Sequence, residues 1–174
     1  AGKSFLKKSN NLVSWYPLVK DCVKDVISFR SYQYKIDYIH TRLSVVIDKE
    51  LKTNKYIEKT FKSILLEDNW NSPLNKELFN VASNIEIANQ ILFLAHNGEN
   101  NKNYILGTSK ADTLENHFKL LESILDGKKN FGLSDNPKGI LLNENDFCNY
   151  QVFDKLGYKI NETPEKLLSE LIIK

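Results

Sequence analysis

Four charged residues in the stretch YQYKIDYIHTRLSVVIDKELK have the types and the order of a metal-dependent nuclease site. In such a site the carboxylates hold Mg²⁺ and a lysine assists the attacking nucleophile. Asp37 could supply the first acid, and Asp48, Glu50 and Lys52 follow a hydrophobic run. The apolar residues that alternate with polar ones before His40 would then belong to a half-buried strand. A nuclease site therefore requires this stretch to be a β-strand.

The same stretch also has the apolar spacing of a helix. One face of that helix would carry Ile36, Ile39, Leu43, Val46 and Ile47. The acids would then be solvated on the opposite face, where their geometry does not suit a metal ion. The tripeptide HTR is also a poor turn for a hairpin. We therefore predict a helix from about Lys35 to Leu51, with His40 at its boundary and no metal site.

Three histidines could otherwise act as bases or metal ligands. They are His40, His96 and His117, and none stands in a His-x-x-x-His or Glu-x-x-His spacing. A helical metal site needs two such pairs together with further carboxylates. We therefore interpret each histidine as a residue at a helix surface or at the boundary of the core.

The segment LAHNG, at the end of a long apolar-periodic run, resembles the histidine region of HEPN-type RNases, which are helical proteins. That family's motif places an arginine a few positions before the histidine. This chain has Asn89, Gln90 and Ile91 upstream, so the RNase activity is not carried over to His96. A helix end, with Asn97-Gly98 supplying left-handed residues, is the better interpretation.

Other motifs for catalysis or cofactor binding are absent. The N-terminal AGKS lacks the first glycine of a phosphate-binding loop, and no Gly-x-Ser-x-Gly sequence occurs. Cys22 and Cys148 lie far apart within apolar patterns. This predicts two buried free thiols, with one disulfide as the alternative, and no zinc site. We predict neither a cofactor nor a metal.

The charge balance argues against a nucleic-acid partner. The chain has 24 basic and 22 acidic residues, a net charge of +2, and only Arg30 and Arg42 are arginines. Recognition of phosphate and guanine favours arginine. The many Lys, Asn and Ile residues indicate an AT-rich genome. No apolar run reaches the roughly 20 residues that span a bilayer. We predict a cytoplasmic protein, with a mature secreted protein whose signal has been removed as the alternative.

Glycine and proline placement favours helices. No glycine lies between Gly2 and Gly98, and tight hairpins usually need one. Pro17, Pro73 and Pro164 each precede an apolar-periodic run, as in the first turn of a helix. Ser72 and Thr163 are plausible N-caps, and Gly157 is a natural helix end.

The predicted helices follow from these glycine and proline positions and from the apolar spacing between them. They cover about Pro17–Ser31, Lys35–Leu51, Lys55–Leu66, Pro73–Ala95, Leu114–Leu125, Asp146–Leu156 and Pro164 to the C-terminus. We predict one all-α, bundle-like domain of six or seven helices over residues 1–174, with residues 1–10 loose. The second half could add a minor strand pair at Tyr104–Leu106 and Gly139–Leu142.

Surface aromatic residues and two long loops favour a protein-interaction domain. The predicted partner-binding residues are Trp70, His96, Asn97, Tyr104 and Phe131. We predict a non-enzymatic domain that binds a protein partner, such as an immunity, antitoxin-like or host-interaction protein. The alternatives are a nucleic-acid-acting enzyme, either the nuclease or the diverged helical RNase above, and a non-catalytic nucleic-acid-binding module. The oligomeric state stays open.

Overall fold

A computed structural model describes most of the chain. The described residues are 15–53, 58, 61–62, 65–66, 69–73, 78–108, 111–125, 130–134 and 150–172. Five helices have defined bounds: α1 Trp15–Tyr34, α2 Asn84–Asn97, α3 Leu114–Ile124, α4 Tyr150–Lys155 and α5 Pro164–Ile172. Glu58, Phe61, Lys62, Leu65 and Leu66 are helical too. Within the described part of the chain, no helix combines the length and apolar character needed to cross a membrane.

Within the described residues, eight short strands pair two by two. They are β1 Ile39–Leu43, β2 Val45–Ile47, β3 Asn69–Pro73, β4 Leu78–Phe79, β5 Val81–Ser83, β6 Lys102–Leu106, β7 Asp112–Thr113 and β8 Asn130–Ser134. Three pairs are parallel: β1 with β6, β2 with β5, and β3 with β8. Only β4 and β7, among the described strands, pair in the antiparallel direction. The chain is therefore an α/β protein with a largely parallel arrangement of strands.

The all-α prediction is wrong, and the predicted helix at Lys35–Leu51 is where it fails. That stretch forms β1 and β2, separated by Ser44 alone. Its apolar residues do not share a buried face, since Ile36 is 62% and Leu43 54% exposed. The absence of glycine between Gly2 and Gly98 argues only against tight hairpins. Parallel strands need long crossovers instead, so the absence of glycine was no argument against them.

The predicted helix starting at Pro73 is also wrong at its first half. Residues Asn69–Pro73 form β3, so Ser72 lies in a strand and does not cap a helix. The helix begins at Asn84, where the Ser83 hydroxyl accepts a hydrogen bond from the Glu86 N–H (3.0 Å). This serine followed three residues later by glutamate is the usual sequence signature of a helix start.

Other helix ends agree with the sequence. The helix predicted from Leu114 begins there, after the N-cap Thr113. The Thr163 hydroxyl accepts a hydrogen bond from the Lys166 N–H (3.3 Å) at the start of α5. Gly157 adopts a left-handed φ of 88° just after α4. Of the suggested strand pair, Tyr104–Leu106 belongs to β6 and pairs with β1, whereas 139–142 lies outside the described residues.

Two hydrophobic clusters form the core on opposite faces of the strands. Successive residues of β5 divide between them, since Val81 packs in one cluster and Ala82 in the other. The Val81 cluster includes Ile47, Phe61, Phe118, Leu121, Leu167, Leu168 and Leu171. The Ala82 cluster includes Ile87, Leu94, Tyr104, Leu106 and Phe153. Side chains of a strand point to alternate faces, so α3 and α5 cover one face while α2 and α4 cover the other.

The α5 helix should be essential for stability. Leu168 is completely buried, whereas Leu92 on α2 is 62% exposed. We expect Leu168→Ala to lower the free energy of unfolding by about 2–5 kcal/mol because it leaves a cavity in the core. Leu92→Ala, the same change at an exposed helical position, should stay within about 0.5 kcal/mol of wild type. Urea denaturation of both variants measures the difference, and equal losses would contradict this packing.

Candidate functional site

The parallel strands bring several chain segments together at their carboxyl ends. In open α/β sheets this edge is where ligands bind. Here β2 ends before Asp48, β5 leads into α2 after Ser83, and β6 ends before Gly107 and Thr108. The carboxyl edge, by which we mean the segments that follow β2, β5 and β6, is the candidate functional site.

Two buried amide side chains hold the segment after β6. The Asn80 amide nitrogen donates to the Thr108 carbonyl (3.1 Å), and its oxygen accepts from the Thr108 N–H (2.9 Å). Gln90 of α2 likewise donates to the Gly107 carbonyl (2.8 Å) and accepts from the Gly107 N–H (3.1 Å). Both amides are completely or almost completely buried. Such fully satisfied polar pairs fix a backbone firmly, because leaving any of them unpaired costs desolvation energy.

Gly107 is required by this arrangement. A Cβ at that position would clash with the Asn80 side chain and with the Ser44 hydroxyl. The Ser44 hydroxyl itself donates to the Leu106 carbonyl. The end of β6 therefore lies against the junction of β1 and β2 too closely for any side chain.

A buried carboxylate organises the loop that follows β2. Glu58 is 1% exposed, and its carboxylate accepts from the N–H groups of Asp48 (2.7 Å) and Thr53 (2.9 Å). The Thr53 hydroxyl also donates to it. Three donors on one carboxylate pin both ends of the loop at 48–53 to the carboxyl edge.

A second buried carboxylate attaches the C-terminal region to the same edge. Glu162 accepts from the Ser83 N–H (2.6 Å) at the end of β5 and lies 3.9 Å from the Lys49 ammonium. Lys49 also pairs with Glu170 of α5. The hydrogen bond from Lys49 lowers the pKa of Glu170, whose side chain is partly buried. The loop after β2 and helix α5 are thus held together by charge.

Helix α1 starts at the carboxyl edge. Asp21, near the start of α1, accepts from the Arg42 guanidinium near the end of β1 (3.4 Å). Ser28, further along α1, donates to Asn101, which precedes β6 (3.2 Å). The helix therefore runs antiparallel to β1 and β6, and its first turns extend beyond the end of β1.

Tyr16 and Lys20 occupy these first turns, at positions i and i+4 of α1. Neither was among the predicted site residues. The signal that could have found them is the sequence Tyr-x-x-x-Lys at the start of a helix that leads into a parallel strand. That signal is recognisable only once the following stretch is known to be a strand.

The predicted nuclease residues do not form a site. Asp37 precedes β1 and Asp48 follows β2, so the extended segment 39–47, roughly 30 Å long, lies between them. Glu50 and Lys52 are exposed and pair with each other. Among the described residues, no cluster of three or more His, Cys, Asp or Glu side chains could hold a metal ion. Although the strand interpretation was correct, its acids lie at opposite ends.

The predicted partner-binding residues are dispersed. His96 and Asn97 are exposed at the end of α2, away from the carboxyl edge where that helix starts. Tyr104 is only 3% exposed and packs near Phe153 (ring centroids 6.3 Å apart) in the core. In the pair of β3 with β8, Trp70 stands opposite Phe131. Partner binding by these residues stays a prediction.

The other two histidines lie inside the structure. His40 is half-buried on β1, and burial, then Lys24 and Arg42, lower its pKa. His117 of α3 is 1% exposed, and its Nδ1 lies 2.9 Å from the Thr113 carbonyl. Its Nε2 has no hydrogen-bond partner among the described residues, and a cavity of about 160 Å³ lies beside the ring. Burial lowers the pKa of His117, so the ring is neutral at pH 7.

The chain lacks the motif that binds a dinucleotide. Its seven glycines include no Gly-x-Gly pair, so a Gly-x-Gly-x-x-Gly turn is impossible. That turn is needed to bring the backbone close to a pyrophosphate. The residues of this chain therefore do not fit the pyrophosphate of a dinucleotide.

Comparison with solved structures places this fold among known enzymes. UDP-glucose 4-epimerase from Thermotoga maritima, bound to UDP-glucose, matches with a TM-score of 0.74 and 16% identity, over 91% of this chain and 52% of that one. dTDP-glucose 4,6-dehydratase from Bacillus anthracis, bound to NAD, matches with a TM-score of 0.67 and 14% identity, over 95% and 52%. A short-chain dehydrogenase/reductase superfamily protein from Agrobacterium tumefaciens, with bound NAD, matches with a TM-score of 0.68 and 12% identity, over 91% and 56%.

These matches define the fold as the doubly wound α/β type of these enzymes. Neither a protein-family model nor a curated protein matches the sequence. The chain spans about half the length of the solved proteins that it matches.

The prediction of a non-enzymatic immunity or antitoxin-like domain is wrong. It depended on a helical bundle without catalytic residues, and the chain instead has a fold found in nucleotide-sugar epimerases, dehydratases and reductases. The nuclease, helical RNase and nucleic-acid-binding alternatives rested on other folds or on residues that do not come together.

The buried carboxylate of Glu58 should determine the order of the loop after β2. In Glu58→Gln an amide group replaces one oxygen, so at least one of the three donors loses its acceptor. We expect a loss of about 1–3 kcal/mol in the free energy of unfolding. The control Glu99→Gln changes a carboxylate that is 60% exposed and should have little effect. If both variants unfold at the same urea concentration, Glu58 does not hold this loop.

His117 should make the protein less stable in mild acid. Its pKa in the folded state is below the ordinary 6.5, so the unfolded chain binds a proton at higher pH than the folded one. The contribution of the neutral His117 ring to the free energy of unfolding is complete above pH 6.5, and it is lost as the pH falls below that value. The free energy of unfolding should therefore fall less between pH 7 and pH 5 in His117→Gln than in wild type. If the free energy of unfolding falls equally with pH in the variant and in wild type, the ring is not buried in its neutral form. Comparison of the two proteins at pH 8, where the ring is neutral in both states, isolates the effect of the substitution on packing.

Proposed function

We propose that the chain is the proton-transferring part of an enzyme that modifies the sugar of a nucleotide sugar. The observation that carries this proposal is the position of Tyr16 and Lys20, one helical turn apart, where α1 starts at the carboxyl edge. The shared fold supports the substrate class, since solved proteins of this fold were bound to UDP-glucose or named for dTDP-glucose. The predicted cytoplasmic location is kept as part of the proposal.

The chemistry requires a group that moves a proton at a hydroxyl. Inverting a sugar carbon that bears a hydroxyl, by way of a ketone, requires the hydroxyl proton to leave and later return. A net oxidation requires the proton only to leave, and a net reduction requires it only to arrive. The accompanying hydride would be accepted or supplied by the nicotinamide cofactor. A phenol performs this transfer near neutral pH when a nearby cation stabilises its ionised form. Side chains four residues apart on a helix are neighbours. We assign Tyr16 as the general acid and base and Lys20 as the cation beside it.

The loop at 48–53 would form one wall of the substrate site. It follows β2 at the same edge, and Glu58 and the Lys49–Glu162 pair hold it in place. A preorganised wall is what orienting a sugar for proton transfer demands, because small displacements reduce the rate strongly.

The cofactor that is bound in solved proteins of similar fold would be held by residues outside this chain. NAD was bound in two of the structures described above. This chain has no glycine-rich turn for a pyrophosphate, and it spans only about half of those proteins. The role proposed for this chain is therefore limited to contact with the substrate and to proton transfer.

Substitution of the two residues tests this role. The assay uses the protein as purified from its own cells and follows turnover of UDP-glucose or dTDP-glucose with NAD present. We expect Tyr16→Phe to lower kcat by at least about 100-fold, the usual contribution of general acid–base catalysis. Lys20→Met should lower kcat and move the rising limb of the pH profile to higher pH, because the phenol loses its stabilising cation.

A matched pair of variants at the other end of α1 serves as the control. Tyr34→Phe and Lys35→Met make the same chemical changes away from the carboxyl edge and should leave kcat near wild type. Failure of the wild-type protein to turn over any nucleotide sugar would refute the substrate class. Activity of Tyr16→Phe equal to that of Tyr34→Phe would refute the assignment of the general base.

A further inference from the structure

The cavity beside His117 lies between α3 and α5, near the start of each helix. We call it the His117 cavity; its volume is about 160 Å³, and its lining includes Asp112, Leu120, Pro164 and Glu165. His117 and Pro164 are buried, whereas Glu165 is exposed. The cavity therefore extends from the buried ring towards solvent.

The His117 ring has one hydrogen-bond acceptor that no described group uses. Its Nδ1 lies 2.9 Å from the Thr113 carbonyl, which can only accept, so Nδ1 carries the proton. Burial lowers the pKa of the ring and keeps it neutral at pH 7, so the lone pair is on Nε2. Within the described residues, this Nε2 is the buried side-chain nitrogen or oxygen that lacks a hydrogen-bond partner. An unpaired buried acceptor is costly, so a ligand that donates a hydrogen bond to it is favoured.

N–H groups at the starts of α3 and α5 are already engaged by the chain itself. The Thr113 hydroxyl accepts from the Asn116 N–H (3.1 Å), and the Thr163 hydroxyl accepts from the Lys166 N–H (3.3 Å). Asp112 accepts from the Thr113 N–H (2.8 Å) and from the Asn116 amide nitrogen (2.6 Å). Helix starts bind anions through such N–H groups. An anion in the cavity would have to displace these contacts.

The charge beside the cavity is negative. Within the described residues, the charged side chains that line it are Asp112 and Glu165, both carboxylates. Burial lowers the pKa of His117, and the Thr113 carbonyl, Asp112 and Glu165 act in the opposite direction, so both carboxylates attract a positive charge at the ring. They would attract a cation in the cavity in the same way. No three His, Cys, Asp or Glu side chains in the described part of the chain could hold a metal ion, so an organic cation fits better.

The size of the cavity and its apolar wall favour an organic molecule over water alone. A water molecule occupies about 30 Å³ in the liquid, so the cavity has room for about five of them. The side chains of Leu120 and Pro164 offer such waters no hydrogen bonds. A short carbon chain would lie against these two side chains and release the water that they hold.

From these observations we infer that the His117 cavity binds a compact primary ammonium ion. One N–H of the ammonium group donates to Nε2 of His117, and the carboxylates of Asp112 and Glu165 balance the charge. The carbon chain of the ligand packs against Leu120 and Pro164. This binding does not depend on which reaction the protein catalyses, because neither Tyr16 nor Lys20 lines the cavity.

Titration with propylammonium chloride tests this binding on the full chain, purified in its native assembly from cells grown with ¹⁵N. Long-range ¹⁵N–¹H NMR observes the imidazole nitrogens, and the Nε2 resonance of His117 should shift to saturation. The ring of His96, exposed at the end of α2, is the internal control and should not shift. Tetramethylammonium has the charge without an N–H, and 1-propanol has the carbon chain without the charge. Each should bind at least about tenfold more weakly than propylammonium.

Calorimetry on three variants tests the individual contacts. His117→Phe keeps a ring of similar shape without an acceptor and should raise the Kd for propylammonium at least about tenfold. Glu165→Gln removes one carboxylate at the open end and should raise the Kd about two- to fivefold. The control Glu99→Gln makes the same change at a side chain that is 60% exposed and does not line the cavity, and it should leave the Kd unchanged.

The outcomes separate an ammonium site from a cavity that holds water only. A saturable shift at Nε2 of His117, with weaker binding of the other two probes, supports the site. Absence of that shift would mean water only and would overturn the inference. Equal binding of propylammonium and tetramethylammonium, or equal affinity in Glu165→Gln and Glu99→Gln, would overturn it too. If His117→Phe does not fold, the wild-type shift and the two glutamate variants decide.

Discussion

The parallel pairing of one continuous segment, residues 39–47, is the constraint on which the rest of the structure depends. The segment pairs with β6 through Leu43 and with β5 from Val45 onwards, on opposite edges. Parallel partners cannot be joined by tight turns, so the chain must cross over between them through helices and long connections. This pairing brings the ends of β2, β5 and β6 to one edge. It also leaves two faces of the strands, and helices cover both. The carboxyl edge and the two core clusters are direct consequences.

Buried polar groups, and not only apolar packing, hold that edge together. Asn80 and Gln90 bind the backbone after β6, Glu58 binds the loop after β2, and Glu162 binds the end of β5. Each of these groups would be costly to bury alone. Each instead satisfies backbone donors or acceptors that the end of a parallel strand leaves without partners. The positions where substrate contacts are proposed are therefore fixed by hydrogen bonds that tolerate little displacement.

Local signals in the sequence predicted the helices of the second half but not the strands. Apolar periodicity and caps located α3 and α5, and Gly157 marked the end of α4, because these depend on neighbours within a few residues. The strand at 39–47 has partners about 35 to 65 residues away in sequence, and no pattern in the neighbouring residues indicates them. Its Ile, Val and Thr content favoured a strand, but Ile36, Ile39, Leu43 and Ile47 coincided with helical spacing. The same error hid the candidate site. Tyr16 and Lys20 can be recognised as candidate site residues only when the helix that carries them is known to precede a parallel strand.

The expectation of a protein partner rested on surface aromatic residues and two long loops, and it stays a prediction. Part of the apolar content lies at exposed positions of α1, such as Val19, Val26 and Phe29. A surface that completes a sheet and a surface that recruits an unrelated partner have the same composition, so sequence alone does not separate them.

The most direct test of this account is the NMR measurement of backbone shifts and interstrand contacts for residues 39–47. The structure predicts extended-chain shifts throughout the segment, together with cross-strand contacts between Thr41 and the neighbourhood of Tyr104, its partner in register. Helical shifts, with contacts between residues three and four apart from Ile36 to Ile47, would contradict the parallel sheet and everything derived from it.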